Sequence, residues 1–202
     1  MVRIYVTAEG LEKLRDRLEK MAGRGKNLRE PLGKAGEIML HSTMENFEAE
    51  GRPAKWVPRS RLTRMIMDYT FMERAAATKR YRRAKKWTTR AGILRSAVAV
   101  ARGHKILQVS GDLKKSIHLQ VLETEAIVGA SAQVGSVEKY ARIHQFGGVI
   151  RPRRGRALFI PVRAGRYVVI KKAVIPARPY LLLQPDEKQK IVRIFEDWLA
   201  GE

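Results

Sequence analysis

Tyr140-Ala141-Arg142-Ile143-His144-Gln145-Phe146-Gly147-Gly148 opens, and Ile175-Pro176-Ala177-Arg178-Pro179-Tyr180-Leu181 closes, the stretch on which the reading of this chain turns. The opening half reads as a short apolar turn of helix stopped by two glycines, which tolerate the left-handed backbone that ends helices. In the closing half Pro176 and Pro179 each fix φ and remove a donor. The chain there must run extended, at a sheet edge or outside a regular ladder. Between the halves, Leu158 to Val162 and Tyr167 to Val174 read as two strands joined by Arg163-Ala164-Gly165-Arg166, a hairpin with a basic loop. Pro161 marks an edge position.

Working outward, Met1 to Thr7 alternates Val2, Ile4 and Val6 as a short strand would, and Thr7 is placed to cap a helix. Leu11, Leu14, Leu18 and Met21 recur at spacings of three and four along one stripe of that helix. A second helix is expected from near Pro31, with Leu32, Ala35, Ile38, Met39 and Phe47 on its buried side and Gly51 as its stop. Prolines pin the following loop, in which Trp56 is the expected anchor, and Ser60 caps a third helical stretch through Tyr69. After it, Ser110-Gly111-Asp112-Leu113 reads as a turn into a β-rich half. Ile117, Leu119 and Val121 alternate with polar residues, Glu123 to Glu125 turns the chain, and Ala126 to Gly129 returns it. Pro185, Asp186 and Glu187 start a last helix whose stripe is Ile191, Ile194, Phe195, Trp198 and Leu199. The expectation is one α+β domain over residues 1–202: an antiparallel sheet flanked by N-terminal and C-terminal helices, with a basic helical insertion at 52–110 and a projecting basic hairpin at 151–172.

Charge sharpens this picture. The 202 residues carry a formal net charge of +21, far from neutral for this size, and such a surface expects polyanions or an acidic protein. Residues 52–110 hold sixteen basic and two acidic side chains, and residues 148–180 hold nine basic and no acidic ones. Residues 1–51 balance at nine each. Arg80, Arg82, Arg83, Lys85 and Lys86 interleave with Tyr81 and Trp87, and Arg151, Arg153, Arg154, Arg163 and Arg166 decorate the hairpin region. These ten cations are the candidate interface or DNA-facing residues. Like charges at such density repel, so the segment around 79–90 is not expected inside the fold without an anionic partner. A solvated, solubilising surface is the plain alternative.

Other chemistry is poorly supported. The absence of cysteine excludes disulfides and thiolate metal sites and fits a reducing compartment. His41, His104, His118 and His144 lie far apart with no metal-ligand spacing, so no metal and no cofactor are expected. No Gly-x-Ser-x-Gly elbow, phosphate-cradling glycine loop or paired catalytic carboxylates occur, and enzymatic activity is not expected. No 18-residue apolar run and no signal-like N-terminus occur, so neither membrane spanning nor secretion by a signal peptide is expected.

The chain resembles the phage virion morphogenesis, or tail-completion, family. The resemblance rests on Glu50-Gly51-Arg52-Pro53 with Trp56, Leu107-x-x-Ser110-Gly111-x-Leu113-x-x-Ser116-Ile117, Val128-Gly129, and the two halves of the opening stretch, in that order. It covers roughly Leu32 to Leu199 and assigns structural roles to Trp56, Tyr140, His144, Gln145, Phe146, Gly147, Pro176, Arg178 and Pro179. It implies a small α+β virion protein of the tail or neck, made in the host cytoplasm, that completes or terminates the tail and joins it to the head. The implied assembly is a ring, expected to be a hexamer. Its implied neighbours are connector, neck or tail-tube proteins, with non-specific contact to packaged DNA. The rival reading, from charge alone, is a non-specific nucleic-acid-binding module.

Overall fold

The structure is a computed structural model and describes residues 8–122, 126–130, 137–153, 155–163 and 166–201. The chain divides into two compact units, one drawn from residues 1–45, 117–129 and 181–202, the other from 46–116 and 130–180. The expected strand at Met1–Thr7, its Thr7 cap and the turn at Glu123–Glu125 lie outside the described residues.

The first unit contains α1 (Ala8–Gly25), α2 (Arg29–Ala49) up to Glu45, β1 (Ile117–Val121), β2 (Ala126–Ala130) up to Gly129 and α8 (Pro185–Ala200). Helix α1 packs on α8, where the Trp198 indole N–H donates to the Arg24 carbonyl at 3.4 Å and Arg24 Nη1 to the Leu199 carbonyl at 3.4 Å. Helix α2 meets β1 at Gly36, where a Cβ would stand 2.4 Å from Leu119 Cδ1, so a larger residue there would require the Leu119 side chain to shift. Along β1 burial alternates as the sequence pattern expects, with Ile117 buried and His118 and Gln120 exposed. The start of α8 is closed by a capping box between Gln184 and Glu187, with Pro185 at the first turn. Glu187 is buried by the same arrangement and accepts the Ser42 hydroxyl at 2.5 Å.

The second unit begins with the last turn of α2, from Asn46. It continues through α3 (Arg61–Ala76), α4 (Lys79–Arg83), α5 (Trp87–Gly103), α6 (Asp112–Ser116) and α7 (Val137–Phe146). Its strands are β3 (Gly148–Ile150), β4 (Leu158–Arg163), β5 (Arg166–Ile170) and β6 (Ala173–Ile175). Ser60 caps α3 by accepting the Thr63 amide at 3.1 Å, and Thr78 caps α4 in the same manner through the Tyr81 amide at 3.2 Å. Helix α3 packs on α5, on β4 and on α4, and is the axis of the basic insertion.

The α+β class stands, with a different sheet. In place of one antiparallel sheet, the described residues form three two-stranded ribbons, β1–β2, β3–β6 and β4–β5. The expected strand Tyr167–Val174 is two strands. It bends at Lys171, where two adjacent exposed lysines interrupt the apolar run, and its second half leaves β4 to pair antiparallel with β3 through Val149↔Val174. The turn expected at Ser110–Leu113 runs on into α6 before β1 begins. The basic hairpin does not stand free: β4 rests on α3 of its own chain.

Candidate functional site

The two halves of the opening stretch meet in the second unit. Helix α7 ends at Gly147, whose φ of 71° is left-handed and where a Cβ would lie 2.8 Å from the Ala177 nitrogen. The segment 176–180 runs beside the last turns of α7. The Arg178 amide donates to the His144 carbonyl at 2.6 Å and the Tyr180 amide to Gln145 Oε1 at 3.0 Å. Pro176 and Pro179 thus occupy positions that have no amide to satisfy, while the amides present at 178 and 180 are satisfied by α7. The Tyr180 hydroxyl closes the strap by donating to the Ala141 carbonyl at 3.3 Å.

Aromatic packing secures the other side. Phe47 is fully enclosed, 5.8 Å from the Trp56 ring in an edge-on arrangement and 5.3 Å from the Tyr180 ring. Trp56 Nε1 donates to the Pro179 carbonyl at 3.1 Å. Asn46, equally enclosed, donates to the Tyr180 carbonyl at 2.9 Å and accepts from Arg52 Nε at 2.9 Å.

Arg178 is buried, and carbonyls rather than a carboxylate hold it: Nε and Nη2 both donate to the Val57 carbonyl, at 3.1 and 3.0 Å. Burial, and then the charge of Arg59, lower its pKa. Burial first and Arg178 second also hold the His144 pKa below the ordinary histidine range. His144 Nδ1 is enclosed with no hydrogen-bond partner among the described residues, and the Tyr140 ring lies 6.2 Å away. Phe146 is the exception within the motif, 74% exposed on the outside of α7.

A second set of bonds ties the end of α2 to residues 104–108. Glu48 accepts from Lys105 at 2.6 Å and from Lys114, and these two cations hold its carboxyl at a pKa of about 2. Gln108 Nε2 donates to the Phe47 carbonyl at 2.6 Å, and the Ile106 amide to Glu50 Oε1 at 2.6 Å. Glu50 and Leu107 adopt left-handed φ values of 55° and 62°, uncommon for residues other than glycine, and these contacts hold them there. Sequence reasoning passed over Asn46, Glu48 and Arg59. A polar residue beside an apolar stripe looks like ordinary surface until the partner at position 180, 105 or 104 is known.

The cationic candidates fall on different elements, and α3 links several of them. Arg80, Arg82 and Arg83 lie on α4 and Lys85 and Lys86 in the link to α5, all exposed; Arg151, Arg153 and Arg166 are exposed as well. Arg154 and the side chain of Arg163 lie outside the described residues. Helices α3 and α4 contain no buried residue and α5 only Ala101. Between α3 and α5 lies a groove of about 710 Å³ lined by Met65, Met67, Met72, Ala101 and Ile106, with Arg61, Arg64 and the Arg102–Asp68 ion pair at 2.9 Å along it. Among the described residues no group of three or more His, Asp or Glu could hold a metal, and no helix is long and apolar enough to cross a membrane. The motif residues thus knot backbone segments together, and the eight candidate cations whose side chains are described stand exposed.

The profile of the phage virion morphogenesis family matches residues 10–200. The chain belongs to that family. It is similar to the Mu-like prophage FluMu G protein 2 of Haemophilus influenzae, at 36% identity over 87 residues, which is 43% of this chain and 46% of that protein. The chain thus spans under half the length of this curated relative. No solved structure matches.

Proposed function

We infer that the chain is a structural protein of a tailed-phage neck. It completes or terminates the tail and joins it to the head as one subunit of a ring, expected to be hexameric. The observation that carries this reading is the basic insertion: α3 to α5 make a helical arm with one buried residue, in a chain matched by the family along nearly its whole length. An element that buries so little by itself gains stability by packing on something else, as a subunit of an assembly does. A closed ring repeats one heterologous contact, which needs two different patches on each copy. A charge-balanced N-terminal stretch and the strongly cationic insertion at 52–110 support that difference.

The reading is tested in particles of the phage or prophage that encodes the chain. Deleting the gene should leave full heads and separate tails, and purified protein should restore joining in a mixture of the two. Unimpaired joining without the gene would refute it.

The acid-free segment 148–180 favours a second reading, non-specific binding to nucleic acid. Size and salt separate the two. A ring that persists in salt supports assembly, whereas a monomer whose affinity for duplex DNA falls steeply with salt supports binding.

A further inference from the structure

The hairpin β4–β5 has two unlike faces. Leu158, Ile160, Val162, Val168 and Ile170 are half-buried, whereas Phe159, Pro161, Tyr167 and Val169 point outward. The register sets Phe159 opposite Val169 and Pro161 opposite Tyr167, so these four side chains form one contiguous patch. Phe159 is 68% exposed, Tyr167 60% and Val169 57%. The patch belongs to a wider pattern. Of the seventeen large apolar side chains that stand exposed among the described residues, seven fall between Phe146 and Val174. Scattered apolar residues on a surface are normal, but a contiguous exposed patch carrying two aromatic rings is the kind of surface that binds a partner.

Charge narrows the occupant. Arg156, Arg166 and Lys171 are exposed in the same segment, and residues 148–180 contain no acid to neutralise them. A second copy of this chain set face to face against the patch would bring two such segments together in molecules that each carry +21. Duplex DNA would satisfy the cations but offers phosphates and grooves, leaving the outward aromatics without an apolar counterpart. An acidic protein surface with an apolar centre satisfies both requirements, since interface cores are aromatic-rich and their rims polar. We propose that the outward face of the β4–β5 hairpin, centred on Phe159 and Tyr167, is the docking surface for a different, acidic virion protein. This deepens the neck reading above and rests on it.

Photo-crosslinking in assembled particles tests the proposal, with p-benzoylphenylalanine placed at position 159 or, in a second variant, at 167. The expected product joins this chain to another virion protein through a peptide rich in Asp and Glu, identified by mass spectrometry. Adducts between copies of this chain, adducts to DNA, or no adduct from either position in infectious particles would each overturn it. A paired experiment keeps the two readings distinguishable. If wild-type protein fails to restore joining of heads and tails, the neck reading fails. If wild-type restores it and Phe159→Ser with Tyr167→Ser restores it equally, only the docking face fails. The expected loss in the double variant is roughly tenfold or more, as for removal of aromatic anchors from an interface, with an unchanged melting temperature because both side chains are exposed.

Discussion

Within the second unit, the strap 176–180 and the arm α3–α5 are built on opposite terms. In the strap almost every polar group has a named partner: two amides and a hydroxyl reach α7, the Trp56 indole reaches Pro179, and the Arg178 guanidinium reaches Val57. Phe47, Trp56 and Tyr180 close around it and are buried. In the arm one alanine is buried, a methionine-lined groove stays open, and sixteen basic residues face two acids over residues 52–110. The difference separates two uses of sequence. The strap's residues specify the chain's own backbone, whereas the arm's residues leave apolar area and charge exposed.

Substitutions should reveal that contrast as a falling series of effects on stability. Phe47→Ala removes a fully enclosed aromatic from between two rings, and should cost about 3–5 kcal/mol in denaturant unfolding. A loss below about 1 kcal/mol would mean the cluster is not the unit's core. Arg178→Met roughly keeps the volume but removes the charge-assisted bonds from the buried guanidinium to the Val57 carbonyl, for an expected loss of about 1.5–3 kcal/mol. Arg178→Lys should recover only part of it, because an ammonium cannot reproduce the planar fork of donors. Replacing Arg80, Arg82 and Arg83 together with Ser should change stability by no more than about 0.5 kcal/mol, as for exposed residues without tertiary partners. Joining of heads to tails should nevertheless fall in that triple variant. A large stability loss there would show that the arm carries internal structure that its burial does not indicate.

Acid provides a further probe of the strap. His144 has a folded pKa below the ordinary value of 6.5, so the unfolded chain binds the proton more readily. Its contribution to stability is therefore fully present above pH 6.5 and is lost as pH falls through the lowered folded value. Melting temperature measured from pH 7.5 downward should fall more for wild type than for His144→Gln. Equal slopes would show that protonation at 144 is not opposed by the fold.

Much of the strap was legible in the sequence, because its signals are local. Glycines after an apolar turn mark a helix end, and two prolines around an arginine mark an extended run that needs donors elsewhere. Helices α1, α2 and α8 were legible for the same reason, their apolar residues recurring every three or four positions, whereas α5 and the second half of α3 were not. Partners distant in sequence were not. Asn46 meets residue 180 across 134 positions, and Glu48 meets Lys105 across 57, and neither distance leaves a periodic trace. The sheet was misread for a related reason. Apolar alternation from Tyr167 to Val174 is compatible with one strand or two, and only the pairing of Val174 with Val149 decides. The hairpin was expected to project, and its resting place on α3 leaves no trace in the sequence.

Hydrogen–deuterium exchange on the free chain and on assembled particles tests the central claim most directly, since it reads backbone protection region by region. The account predicts that the amides of Gln145, Arg178 and Tyr180 are equally protected in both states. It predicts that amides of α3, α5 and the hairpin β4–β5 gain protection only in the particle. Full protection of the arm in the free chain, or no gain on assembly, would contradict the division between a self-sufficient strap and an arm completed by its neighbours.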